Sequence, residues 1–164
     1  MRSPGWFLPD FVPRLPDGSA PLISVRHLLT HTAGLGYPSL TPGDPYEAAH
    51  ISTGLDQPGV SMQENLQRIA SAPLYSPPGS AWRYSVATDV LGAIIAVVHS
   101  GSLADAVATY VTEPLGMRDS AFVVREQVRL AVPLLGRGHR LLTSTRLRPG
   151  FVSVRRLRDG RYCQ

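Results

Sequence analysis

Four stretches of the chain carry apolar residues at the 3.6-residue spacing of a helix, and each follows a residue suited to start one. Ser24 precedes Val25, Leu28 and Leu29, an apolar face short enough for a single helical turn or two. Ser61-Met62-Gln63-Glu64 has the form of a capping box, ahead of Met62, Leu66, Ile69 and Ala70. Ser85 stands as N-cap before a run from Val86 to Val98 that is apolar around most of its circumference, which predicts a central, buried helix. Gly92 inside that run costs about 1 kcal/mol relative to Ala unless a neighbour packs closely against it. Ser102 and Asp105 open the fourth helix, with Leu103, Val107, Tyr110 and Val111 facing inward and Pro114 ending it. Between these lie loops. Residues 1–22 are rich in Pro, Gly and Asp, and residues 37–60 are interrupted by Pro38, Pro42, Gly43, Pro45, Gly54, Pro58 and Gly59. A loop that long in a compact domain is often part of a binding site. The pattern therefore predicts a mainly α body.

Beyond about residue 130 the helical spacing is lost. Val132–Leu135 and Leu141–Thr143 flank Gly136-Arg137-Gly138-His139 as a hairpin would, and Phe151–Val154 with Asp159-Gly160 suggest a second. The domain division expected is a helical region over 1–130 and an Arg-rich tail of uncertain fold over 131–164, with short strands near the C-terminus.

Composition changes this picture in two respects. Residues 1–124 hold six Arg and ten acidic residues, net −4, whereas residues 125–164 hold ten Arg and two acidic residues, net +8. The overall charge of +4 is thus a mildly acidic body carrying a basic tail. That tail has little aromatic interleaving and no nucleic-acid motif, so no nucleic-acid partner is expected. Secondly, all sixteen cationic side chains are arginine; the chain contains no lysine. Its single cysteine, Cys163, closes no internal disulfide. No apolar run approaches the ~20 residues of a membrane span, and the first residues lack the apolar segment of a secretory signal. The default expectation is a cytoplasmic location with no membrane span.

The candidate chemistry centres on residues 75–92. Pro77, Pro78 and Gly79 impose a rigid turn, then Trp82, Tyr84 and Ser85 lead into the longest helix. A phenol just before a helix N-terminus lies near the positive end of the helix dipole, which favours a phenolate and hence a general base. The alternative is an amphipathic tyrosine with a packed ring and a wet hydroxyl. His27 and His31, four apart, would suit a metal pair, but no third ligand is tied to them; they read as structural, with His31 satisfying groups at the helix end. No metal or other cofactor is expected.

Three segments resemble one family in the same order. Ile23-Ser24-Val25-Arg26-His27-Leu28-Leu29-Thr30-His31-Thr32-Ala33-Gly34-Leu35 is similar to the Leu-Leu-Thr-His-Thr-Ser-Gly-Leu segment of serine β-lactamase-like hydrolases. Tyr84-Ser85-Val86 resembles the family's Tyr-Ser-x segment. Pro114-Leu115-Gly116-Met117-Arg118-Asp119-Ser120-Ala121-Phe122 resembles its Pro-Leu-Gly-Met-x-Asp-Thr-x-Phe segment. The family includes class C β-lactamases, D-Ala-D-Ala carboxypeptidases and family VIII carboxylesterases. The resemblance implies the helical region of an α/β β-lactamase-like (DD-peptidase) fold, acting on ester, amide or lactam bonds through an acyl-enzyme. It makes Tyr84 the catalytic residue and places Tyr37, Trp82 and Ser85 at the substrate. Small-molecule esters or acyl compounds are the implied partners, and oligomeric state is undetermined. Val86 replaces the family's Asn, which leans toward esters over β-lactams.

The same resemblance exposes a gap. The family nucleophile is the serine of Ser-x-x-Lys, and a chain without lysine cannot carry that segment. Ionising a phenol at pH 7 costs about 4 kcal/mol, and a helix N-terminus returns only about 0.3–2 kcal/mol, so a cation is needed. Arg83 is adjacent to Tyr84, but neighbours on an extended segment point to opposite faces. The expectation is a truncated, inactive part of a serine hydrolase, with a non-catalytic helical interaction module as the alternative.

Overall fold

The computed structural model describes residues 4–39, 42–54, 57 and 59–123. The two hairpins expected at 132–143 and 151–160, and the whole of the Arg-rich tail over 131–164, lie outside these. Among the described residues the regular structure is helical: α1 (Val25–Leu29), α2 (Pro45–Ala48), α3 (Met62–Ser71), α4 (Ala87–His99) and α5 (Leu103–Val107), which runs on as a single wide π turn over Ala108–Thr112. No single described helix is long and apolar enough to cross a membrane.

The caps follow the serines. Ser24 Oγ accepts the His27 N–H, and the His27 ring reaches back so that the Ser24 N–H donates to its Nδ1, closing a capping box of which one half is an imidazole. Ser102 and Asp105 form the same reciprocal pair on α5, whose hydrogen bonds hold the Asp105 carboxyl below its ordinary pKa. At α3 only half of the predicted box is made. Ser61 Oγ takes the Glu64 N–H, while the Glu64 carboxylate pairs with Arg68 at 2.6 Å. The long loop is less irregular than expected, because Asp44 caps α2 through the Tyr46 and Glu47 N–H groups and Pro45 occupies its first turn. That loop is stitched to α3 by a buried reciprocal pair: the Ser52 N–H donates to Asn65 Oδ1 (2.8 Å), and Asn65 Nδ2 donates to the Ser52 carbonyl (3.0 Å).

The start of α4 lies one residue later than the pattern suggests. Val86, not Ser85, is its N-cap and offers no side-chain cap, although the Ser85 hydroxyl accepts the Ala87 N–H (3.3 Å). The helix is also less enclosed. Ala87, Val90, Gly92, Ala93 and Ile94 are buried, but Ile95, Val97 and Val98 are exposed. On the next helix Tyr110 and Val111 are exposed rather than inward. Gly92 has its packing neighbour: a Cβ there would stand 3.0 Å from Leu103 Cδ2, so close approach of α5 offsets the helical cost of the glycine.

The core joins α1, α3 and α4 through Leu28, Ile69, Val86, Ala87 and Val90, with Leu35, Tyr46, Ile51 and Leu74 from the connecting segments. Its organising contact is between two non-helical stretches. Residues 31–36 and 75–86 lie side by side, tied by Tyr75 N–H to the Gly34 carbonyl (2.8 Å), Gly79 N–H to Thr32 (2.7 Å), Arg83 N–H to His31 (2.9 Å) and Val86 N–H to Gly36 (3.0 Å). Such closeness requires glycine. A Cβ on Gly34 would overlap the Ser76 carbonyl, and one on Gly36 would overlap the Tyr75 ring and press on Tyr46. Tyr46 stacks on Tyr75 (centroids 5.4 Å, interplanar angle 22°), and its fully buried hydroxyl has no hydrogen-bond partner.

Two outcomes follow for stability. Gly34 (φ 81°) and Gly18 (φ 84°) share a left-handed backbone, yet only Gly34 has a neighbour in the way. Gly18→Ala should cost about 1–2 kcal/mol, the left-handed penalty alone, and Gly34→Ala about 3 kcal/mol or more, compared by urea denaturation followed by circular dichroism. Burial pushes the Tyr46 phenol up to about 12, only partly eased by the Gly36 backbone N–H nearby. A phenol whose proton is held more tightly when folded lends stability that is complete below about pH 10 and is lost as pH rises toward 12, about 3 kcal/mol in all. Tyr46→Phe should remove that alkaline loss, and at neutral pH should leave stability unchanged or raise it by about 1–2 kcal/mol, because the hydroxyl is buried without a partner. Melts at pH 7 and pH 11 distinguish these values.

Candidate active site

The paired stretches bring together residues about fifty positions apart. His31, just beyond α1, has its ring stacked on that of Tyr84 (5.4 Å, 22°), with Trp82 edge-on at 6.4 Å. Tyr37 approaches the other ring of this group, 5.4 Å from Tyr84 at 49°. Tyr84 is 61% and Trp82 69% exposed, so the cluster presents its aromatic edges to solvent at the mouth of α4. Three of the four residues singled out in the sequence, Tyr37, Trp82 and Tyr84, are thus neighbours.

Ser85, the fourth, differs in kind. It is 5% exposed; its Oγ accepts the Ala87 N–H (3.3 Å) and lies 3.2 Å from His31 Nδ1. That separation is one at which an imidazole could act on a hydroxyl nucleophile, but the hydroxyl is buried and faces back into the helix start. The pair braces the site rather than presenting an attacking oxygen. His31 keeps its expected place at the helix end, where its backbone N–H donates to the Leu28 carbonyl (3.2 Å), but its ring does more. The end of α1 is closed by backbone bonds and by the Thr30 hydroxyl on the Arg26 carbonyl, so the imidazole is free to reach Ser85. Its importance was hidden in the sequence because its partners lie on a segment joined to it only by the fold. His27, the other half of the supposed metal pair, has its Nδ1 engaged in the α1 capping box. No group of three metal-ligating side chains occurs among the described residues.

Charge around the cluster is arranged as the extended backbone demands. The Arg83 guanidinium lies over the Tyr75 ring, 4.2 Å from its centroid, as expected where neighbours on an extended segment alternate in direction. Tyr75 in turn donates to Asp44 Oδ2 (3.0 Å), which also receives the Ser39 hydroxyl (2.8 Å). Although burial works to raise it, the Asp44 carboxyl is held below its ordinary pKa by these bonds and by the Tyr46 and Glu47 N–H groups. In the first turn of α4, burial pushes the Asp89 carboxyl up. Val86, third in the Tyr-Ser-x segment, is fully buried and offers no polar group outward. An apolar groove of about 300 Å³ lined by Phe7, Phe11, Met62, Leu66 and Val97 lies elsewhere, between the N-terminal segment, α3 and α4.

Comparison with known proteins bears on what this cluster is. A family model described as Beta-lactamase matches residues 8–147. Esterase EstB of Burkholderia gladioli is 52% identical over 128 residues, which are 77% of this chain and 33% of EstB. Lovastatin esterase of Penicillium rubens is 30% identical over 118 residues, 70% of this chain and 28% of that protein. Among solved structures, EstCE1, described as a hydrolase with promiscuous acyltransferase activity, superimposes with a TM-score of 0.75 at 39% identity, covering 80% of this chain and 35% of EstCE1. Simvastatin synthase (LovD) from Aspergillus terreus aligns with a TM-score of 0.53 at 26% identity over 77% of this chain and 33% of its own. The chain therefore spans about a third of the length of these relatives. On the matched segments, the shared fold and the match over most of its residues, it belongs to the beta-lactamase family.

Proposed function

We propose that these residues are the helical portion of a serine esterase or acyltransferase that works through an acyl-enzyme, with Tyr84 as its general base. The observation that carries the reading is the phenol itself: exposed, in contact with the rings of His31 and Tyr37, and set at the mouth of the longest described helix in a chain that is 52% identical over 128 residues to an esterase. In this role the Tyr84 oxygen takes the proton of an attacking serine hydroxyl and returns it to the departing alcohol; water then hydrolyses the ester left on the enzyme. Trp82 and Tyr37 offer apolar faces to the acyl or alcohol group. Ser85, buried, acts on the site through His31 and not by touching substrate. Val86 brings no amide to hold a lactam or peptide, which supports ester substrates, as do the relatives named as esterases.

The serine and the cation have to come from outside these 164 residues. No Ser-x-x-Lys can be written without lysine, and the guanidinium next to Tyr84 is committed to Tyr75. The exposed apolar side chains Ile95, Val97, Val98, Tyr110, Leu115 and Phe122 support the same reading, since a surface so apolar is normally covered. By itself the chain is then catalytically silent. The exposed face also gives the binding alternative its substance: in both readings the helices pack against further polypeptide, and the two differ only in whether Tyr84 does chemistry.

The purified chain should show no Tyr84-dependent hydrolysis of nitrophenyl acetate or butyrate. Replacing the matched stretch of EstB with this chain's residues should yield an active esterase, in which Tyr84→Phe lowers kcat by about 10²–10⁴, the usual contribution of a general base. A folded chimaera that is active and indifferent to Tyr84→Phe would leave only the binding module.

A further inference from the structure

We propose that His31 is the positioning residue of this site: it clamps the Tyr84 ring in its working orientation and transmits to it the fixed geometry of the α4 N-terminus. The inference rests on the reading of Tyr84 as the base, and it adds a role for a residue that the sequence assigns only to the end of α1.

Three observations converge on it. First, His31 has a positive φ of 52° directly after the C-cap of α1, the position that helices most often give to glycine because a Cβ is unfavourable there. A non-glycine residue held in that region by its surroundings is a pointer to function. Secondly, both backbone groups of His31 are engaged: its N–H donates to the Leu28 carbonyl (3.2 Å) and its carbonyl accepts the Arg83 N–H (2.9 Å). Its backbone therefore holds it against the segment that carries Tyr84. Thirdly, its imidazole is tethered through Nδ1 to Ser85 Oγ (3.2 Å), and Ser85 Oγ is itself held by the Ala87 N–H at the start of α4. The ring so fixed is the one stacked on Tyr84 at 5.4 Å and 22°.

The consequence is mechanical. An exposed tyrosine has several staggered side-chain orientations open to it. The Tyr84 ring meets two others, His31 and Tyr37, and of these only His31 is anchored to the helix N-terminus by a side-chain hydrogen bond that the structure records. Taking away the imidazole leaves Tyr84 with Tyr37 alone, tilted at 49°, and the phenolic oxygen loses its fixed position. Displacement of a reacting group by 1 Å can cost 10²-fold in rate. His31→Asn tolerates the left-handed backbone but removes the ring, whereas His31→Phe keeps a ring and removes the tether.

The test uses the chain itself. The ring protons of Tyr84, assigned by their loss in Tyr84→Phe, should be shifted upfield in the NMR spectrum by the rings that flank them. In His31→Asn they should move back toward the values of a free tyrosine, while circular dichroism stays native; in His31→Phe most of the shift should persist. Unchanged Tyr84 signals in a folded His31→Asn protein overturn the proposal. Should that variant not fold, Ser85→Ala cuts the tether without touching α1: a smaller displacement of the same signals supports the clamp, and none overturns it. In the EstB chimaera His31→Asn should lower kcat about 10–100-fold with KM little changed, and an undiminished kcat overturns the functional role. Full activity of the Tyr84→Phe chimaera would instead remove the base assignment, a result separate from the ring signature.

Discussion

The close approach of residues 31–36 to residues 75–86 is the constraint on which the rest depends. Neither stretch is part of a helix, and no sheet surrounds them among the described residues, yet four N–H groups of one find carbonyls of the other at 2.7–3.0 Å. Unpaired, those groups would be costly where the segments are buried. The approach is set by what is missing: a Cβ on Gly34 or Gly36 would occupy space taken by Ser76 or Tyr75. Once the two backbones are locked, the side chains have little choice. His31 and Tyr37 come from one segment, and Trp82, Tyr84 and Ser85 from the other, and they meet because the spine between them is rigid.

Rigidity alone does not make a base. The aromatic cluster fixes where a phenol stands but holds neither a lysine nor an arginine against it to stabilise its ionised form. The dipole of α4 contributes at most about 2 kcal/mol of the roughly 4 kcal/mol that a phenolate requires at pH 7. The extended backbone sends the Arg83 guanidinium to the Tyr75 ring, where it stabilises the turn instead. A like logic governs Asp44, whose carboxylate is saturated by donors from Ser39, Tyr46, Glu47 and Tyr75 and so ties the long loop to that same turn. Geometry and electrostatics are thus divided: these residues supply the first, and the proposed enzyme needs a partner segment for the second.

Much of the helical body was legible because its signals are local. Serine caps at 24, 61 and 102 act on N–H groups three residues away, and the helical apolar spacing lies in the same few turns. Asp44-Pro45, a cap followed by proline at the first helical position, carried an equally local signal for α2 that the density of Pro and Gly around it obscured. What could not be read locally depended on long-range pairing. Ser85 looks like an N-cap, but the Val86 N–H is drawn to the Gly36 carbonyl, and the helix begins one residue later. His31 looks like a helix-end residue until Ser85, 54 positions on, is placed beside it. Tyr84 drew attention by motif and position together, yet nothing in its neighbourhood of the chain announced that a histidine and a second tyrosine would flank its ring.

The clearest divergence is the circumference of α4. An apolar run on all sides predicts burial on all sides, whereas here one face meets α1 and α5 and the other leaves Ile95, Val97 and Val98 in water. At ~25 cal/mol for each Å² of apolar surface left uncovered, a sequence gains nothing by keeping such residues on a face that stays wet. The pattern of a helix records the surroundings in which it is most stable, and these include any polypeptide that packs against it. The exposed apolar residues of α4, with Tyr110, Val111 and Phe122 exposed as well, are on the proposed reading the physical counterpart of the missing cation. On the proposed reading, both are supplied by whatever covers that face.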